Sequence, residues 1–216
     1  AEGAATRFVP GQNCGAKAGA MTVFVLFCLM AVRGRFLPAA EGTEVSVFAK
    51  VFCDVGDSQS IEENLSTFSS HIKTVIGIAE GADANSLVLI DELGGGTDPD
   101  EGQALAKAVL AHLLTSGCRG IVTTHYTALK EFAYAEEGIE NASMEFDMNT
   151  LQPLYRLKPG VPGSSNAIAI SRRLGLAESI LQDAVANLSE GGRKLENVRR
   201  AAEQSRTQAG PLYTSD

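Results

Sequence analysis

Asp91 and Glu92 stand side by side at the end of "SLVLIDE" (86–92), a compact apolar run closed by two carboxylates. An aspartate placed there can hold Mg²⁺, and a glutamate one residue on can polarise a water for attack on a terminal phosphate. Adjacent carboxylates also occur on plain surface turns. The "LGGGTD" that follows favours a ligand, because such a glycine run lets the backbone pass close to one. His125 ends "GIVTTH" (120–125) at the same edge; it is either a phosphate sensor or an ordinary hydrogen-bonded turn residue. Ser66 and Thr67 open a helical pattern, where free N–H groups bind phosphate or a hydroxyl simply caps. Finally, "GQNCGAKA" (11–18) has the outline of the phosphate loop G-x-x-x-x-G-K-S/T. Gly11 and Lys17 hold the required spacing, but Ala16 replaces the second glycine and Ala18 the hydroxyl residue that would bind magnesium.

These residues need a sheet edge to bring them together, and the patterning predicts one. Thr6 to Val9 is β-prone and leads through the glycine-bearing loop into a strongly apolar segment ending at Val32, which reads as a buried helix. Val45 to Phe52 reads as a strand ending in the acidic "CDVGD" turn. From Ser66 the period becomes helical, with Phe68, Ile72, Val75, Ile76 and Ala79 on one face. "SLVLI" has the composition of a central parallel strand buried on both sides. Asp98, Pro99 and Glu101 then supply an N-cap, an N1 proline and a capping-box acid for a helix to about Ser116, with Gly117 at its end. "GIVTTH" completes a β-α-β unit. Ala142 to Phe146 and Pro153 to Leu157 form an expected hairpin. Ser164 or Ser165 is placed to cap a helix to about Leu174, and a second runs from Ala177 to Leu188 with Ile180, Leu181, Ala184 and Leu188 inward.

With 216 residues, 44% hydrophobic and 20% charged, the chain suits one domain with a short appendage. Net charge is −8 and the pI about 5.0, the wrong sign for a broad nucleic-acid surface. Between Arg172 and Arg206 seven Lys/Arg face five Asp/Glu, a mildly basic end on a chain whose remainder carries −10. Cys14, Cys28, Cys53 and Cys118 are irregularly spaced, with no C-x-x-C pair, and read as reduced, mostly core thiols. Met21 to Val32 is about half the ~20 residues a membrane span needs. Lys17 and Arg33-Gly34-Arg35 bracket it as they would a buried helix rather than a signal peptide. The chain begins at Ala1 rather than methionine, as a fragment would.

Taken together, "STFSSH" (66–71), "LVLIDELGGGTDPDEG" (87–102), "IVTTHY" (121–126), "ENASMEFD" (140–147) and "YRLKPGVPGSSNA" (155–167) resemble the ATPase domain of the MutS family of DNA mismatch-repair proteins. The likeness covers roughly residues 6 to 190 and is closest to the branch associated with recombination suppression. It implies an α/β fold of ABC-type P-loop ATPase kind, a mostly parallel sheet flanked by helices, over 1–190, with a polar helical or disordered tail over 191–216. By the resemblance Asp91 is the magnesium-binding acid, Glu92 the general base and His125 the γ-phosphate sensor, while Ser66 reaches the ATP of a facing subunit. "GQNCGAKA" falls where the family has its phosphate loop: Gly11, Asn13, Gly15 and Lys17 agree with the pattern, Ala16 and Ala18 do not. ATP and Mg²⁺ are the implied cofactors. A homodimer is implied, with DNA held mainly by regions preceding Ala1, and no membrane. Cytoplasmic or nucleoid-associated placement follows, or a plastid in a eukaryote, but not secretion. An ATP-hydrolysing dimerisation module is the first reading; a non-catalytic interaction domain with a degenerate loop is the second. A transporter-type ATPase is disfavoured by the lack of an "LSGGQ"-like signature.

Overall fold

The computed structural model describes residues 14–55, 67–147, 150–163 and 166–188. Three parallel strands, β1 (Lys50–Asp54), β2 (Ser86–Ile90) and β3 (Arg119–Val122), lie in the order β1-β2-β3. β2 is central, and all five of its residues are buried. Because side chains alternate across a strand, Leu87 and Leu89 face one layer, packing with Met21 and Cys28 of helix α1 (Cys14–Val32). Val88 and Ile90 face the other, with Val75 and Ile78 of α2 (Thr67–Gly81) and Leu110 and Leu113 of α3 (Pro99–Ser116). The result is a mixed α/β sandwich of helix, sheet and helix. Helix α4 (Thr127–Ala135) follows β3, and an antiparallel hairpin, β4 (Ala142–Asp147) with β5 (Gln152–Pro159), follows that. Helices α5 (Ala167–Arg173) and α6 (Glu178–Ala186) close the described chain.

Local signals set α3 as expected. The Asp98 carboxylate accepts from the N–H groups of Asp100 and Glu101, Pro99 occupies the first turn, and Gly117 ends the helix at φ 72. The hairpin also forms where predicted. Lys130 of α4 is buried, its Nζ donating to the Gly163 carbonyl at 2.7 Å, and Asn141 Nδ2 donates to the Lys130 carbonyl at 2.9 Å. Burial pushes the Lys130 ammonium below its ordinary range.

Several expectations need correction. α1 is a helix but not a buried one: Met21 and Cys28 are covered, while Val23, Phe24, Leu26, Leu29 and Val32 are exposed. A helix lying on one face of a sheet buries a single stripe, whatever its other sides carry. β1 runs from Lys50 to Asp54 rather than from Val45 to Phe52, because its partner β2 begins only at Ser86, opposite Lys50. On α2 Val75 is inward as expected, joined by Ile78 (2% exposed) rather than Ile76 (51%). β3 ends at Val122, since β2 offers no strand partner beyond Ile90. α5 starts after Asn166, which makes no side-chain cap bond, and of the four inward residues expected on α6 only Leu181 is buried. Cys28 and Cys118 are core thiols as expected, whereas Cys53 points outward on β1 and is exposed. The expected strand at Thr6–Val9, the Ser164 and Ser165 caps and the tail lie outside the described residues. Among those described, no helix is long and apolar enough to cross a membrane.

Candidate active site

The C-terminal edge of an open parallel sheet is where α/β folds gather their ligands, and here three strand ends meet. The Asp91 N–H donates to the Asp54 carbonyl at 2.8 Å, and the Thr123 N–H to the Ile90 carbonyl at 2.9 Å, so hydrogen bonding continues one step past the strands. The Thr123 hydroxyl donates to Asp91 Oδ1 and accepts the Glu92 N–H at 2.9 Å. Thr123 is buried, Asp91 partly so, and Glu92 is exposed at the rim.

Glu92 adopts φ 51, a left-handed conformation uncommon for a residue with a Cβ. Such outliers cost about 1–3 kcal/mol and persist where the surroundings enforce them. The surroundings here are the Thr123 bond on one side and the turn on the other, where the Gly95 N–H donates to the Glu92 carbonyl at 2.8 Å. Gly94 follows at φ 84, and a Cβ on it would run into the Gly102 carbonyl of α3. The Tyr126 hydroxyl donates to the Gly94 carbonyl at 2.8 Å, and burial pushes its pKa up. The "LGGG" turn is therefore pressed between α3 and Tyr126. A shallow cleft opens beside it, lined by Asp54, His71, Asp91 and Glu92 on its polar side and by Phe68 and Ile72 of α2 on the other. In it, His71 Nδ1 lies 3.0 Å from Asp54 Oδ2.

Of the residues singled out from sequence, Asp91 and Glu92 sit together as expected. His125 does not close a strand: it lies three residues beyond β3, exposed, its ring tilted 46° against Tyr126 at 4.4 Å. The ladder stops at Val122 because the left-handed turn at Glu92 ends the extended run of the neighbouring chain, leaving the Leu93 N–H to donate to the Thr123 carbonyl at 3.0 Å. Gly15 and Lys17 fall in the first turn of α1. Gly11, Asn13 and Ser66, with the side chain of Lys17, lie outside the described residues. Sequence reading missed Thr123, Asp54, His71 and Tyr126; the available signal was a hydroxyl or carboxylate at the end of each strand flanking β2.

A family model described as MutS domain V matches residues 7–190. The chain belongs to the MutS family. The chain is 49% identical over 201 residues to an "Endonuclease MutS2" of Caldanaerobacter subterraneus subsp. tengcongensis, an alignment covering 93% of this chain and 25% of that protein. It is also 49% identical over 201 residues to the protein of that name from Shouchella clausii, covering 93% and 26%, and 51% identical over 190 residues to that from Thermomicrobium roseum, covering 88% and 24%. The chain thus spans about a quarter of the length of the MutS2 relatives it matches.

Proposed function

We propose that this domain binds and hydrolyses ATP as the dimerisation module of a MutS-like protein acting on mismatched or branched DNA, within a P-loop fold of ABC type. The observation that carries this reading is the Asp91–Glu92 pair at the C-terminal edge of the parallel sheet, both residues tied to the Thr123 hydroxyl. Asp91 offers a partly buried carboxylate, a hard oxygen ligand. Mg²⁺ bound to a nucleotide needs only one or two such carboxylates beside phosphate and water oxygens, so the donor chemistry fits. The metal would draw charge off the phosphates.

Glu92, at the rim and in reach of solvent, orients and deprotonates the attacking water. His125 senses the γ-phosphate from the following loop. Gly11, Asn13, Gly15 and Lys17 cradle the phosphates at the entry to α1, and Ser66, at the opening of α2, serves the nucleotide of a second copy. DNA contact falls chiefly to other parts of the whole protein, as a net charge of −8 suits it poorly here. A cytoplasmic, nucleoid-associated setting accords with this role. The second reading, a non-catalytic interaction domain, is favoured by one observation: Ala16 and Ala18 interrupt the phosphate loop.

Titration with a fluorescent ATP analogue, phosphate release by the unaltered chain and by Glu92→Gln, and sedimentation with a non-hydrolysable analogue test the proposal. We expect binding by both chains, release by the unaltered chain alone, and nucleotide-promoted association. Binding and association without release would give the second reading; absence of binding would remove both.

A further inference from the structure

Asp54, Asp91 and Glu92 bring three carboxylates to the polar side of the cleft, and His71 brings an imidazole. Asp91 and Glu92 have tasks in the proposed reaction. Asp54 has none, and its charge has the wrong sign for a ligand made of phosphates. The pairing of β1 with β2 fixes where it stands: Asp54 lies against Ile90 in the parallel register, and its carbonyl accepts the Asp91 N–H at 2.8 Å. The backbone therefore keeps this carboxylate beside the acids, and only the side chain can turn. His71, one helical turn after Thr67 on α2, takes hold of that side chain, its Nδ1 meeting Asp54 Oδ2 at 3.0 Å. An ionised carboxylate only accepts, so the ring nitrogen donates. The Asp54 and His71 side chains are 13% and 24% exposed, which leaves solvent ions little access to screen the charge. Among the described residues lining the cleft, His71 is the one able to carry a positive charge.

We infer that His71 is a positioning residue that holds the Asp54 carboxylate toward α2 and offsets its charge, so that a cleft edged by acids accepts a polyanionic phosphate ligand. The inference rests on the proposed reading that ATP binds beside Asp91 and Glu92. Without the imidazole, Asp54 stays next to the acids through its backbone bond, and its carboxylate repels phosphate. The harm then comes from Asp54 rather than from the missing ring, so removing the Asp54 charge as well reverses it. A bond that merely braced α2, or a ring that itself touched the nucleotide, would give no such reversal, because the doubly altered chain lacks both.

The test is titration of a fluorescent, non-hydrolysable ATP analogue with Mg²⁺ into the unaltered chain, His71→Ala, Asp54→Asn, and the chain carrying both changes. His71→Ala should bind at least about tenfold more weakly, a difference of about 1.4 kcal/mol. Asp54→Asn and the double variant should each bind within about threefold of the unaltered chain. Should His71→Ala fail to fold, His71→Asn, whose amide can still donate to Asp54, and His71→Leu, which cannot, take its place. The asparagine variant should then bind as the unaltered chain does, and the leucine variant weakly until Asp54→Asn is added. Binding by a folded His71→Ala or His71→Leu as tight as that of the unaltered chain, or tighter, overturns the inference with the proposed function left standing. A double variant, or Asp54→Asn alone, that binds as weakly as the His71 variant does the same, and assigns the loss to the bond or to the ring itself. An unaltered chain that does not bind the analogue removes the proposed function, and the inference with it.

Discussion

The Thr123 hydroxyl stands between the two acids of the site, donating to Asp91 Oδ1 while accepting the Glu92 N–H at 2.9 Å. One buried oxygen thereby sets the carboxylate expected to meet the metal and the backbone of the residue expected to activate water. It also helps hold Glu92 at φ 51. A hydrogen bond to a charged group is worth about 1.5–3 kcal/mol.

Thr123→Val keeps the shape and removes both bonds. It is expected to lower stability by about 1.5–3 kcal/mol, read as a shift in urea midpoint at constant m-value, and to slow phosphate release at least about tenfold. Thr123→Ser should retain most of both. Unchanged turnover in the valine variant would show that the acids keep their places without the hydroxyl.

Gly102→Ala tests the close approach behind the glycine turn. A Cβ there meets the Gly94 carbonyl and comes within 2.5 Å of the Tyr126 hydroxyl. Alanine is favoured over glycine in a helix by about 1 kcal/mol, but overpacking costs roughly 1–3 kcal/mol, and both contacts involve polar oxygens already engaged. A net loss in equilibrium unfolding is expected; a gain would mean that α3 and the turn separate easily.

At the opposite edge of the sheet the charges bear on stability rather than chemistry. Asp83, in the turn before β2, is held at about 2, below its ordinary 3.8, first by the Lys50 ammonium at 2.7 Å and then by the Ser86 hydroxyl and the Asn85 N–H. A carboxyl with a depressed folded-state pKa contributes stability above its unfolded value and loses it as pH falls through the folded one. The contribution should therefore fade between about pH 4 and pH 2, and Asp83→Asn should show a flatter stability profile across that interval. Parallel profiles for the two chains would contradict this. The pair is half-exposed, so salt should shrink the difference.

The altered phosphate loop offers the most direct test of turnover. In the proposed reading, Lys17 and the backbone N–H groups at the entry to α1 would still serve the phosphates. By the same reading Ala18 removes a hydroxyl ligand for magnesium, while Ala16 lies in the first turn of α1 and carries no strain from positive φ. Hydrolysis should therefore suffer more than binding. Ala16→Gly with Ala18→Thr is expected to raise phosphate release at least about tenfold, and Glu92→Gln in that background to abolish the gain. Equal release before and after restoration would show that both alanines are tolerated.

Much of the frame was determined by residues close together in the chain. The four apolar residues of β2, Leu87 to Ile90, dictate a strand buried on both faces, and the two acids that follow mark the edge of the proposed site. Asp98, Pro99 and Gly117 delimit α3, because each acts on backbone groups within a few positions of itself. The partners of the acids were a different matter. Thr123 lies 31 residues from Glu92, and Asp54 lies 17 from His71. What joins them is the parallel register that sets Asp54 against Ile90 and Ile90 against Val122, and register depends on how whole faces pack rather than on any local pattern. The same reason explains α1. Its residues are apolar on every side, so sequence alone marks it for burial; only the sheet, by presenting one surface, selects Met21 and Cys28 and leaves Phe24, Leu26 and Leu29 exposed.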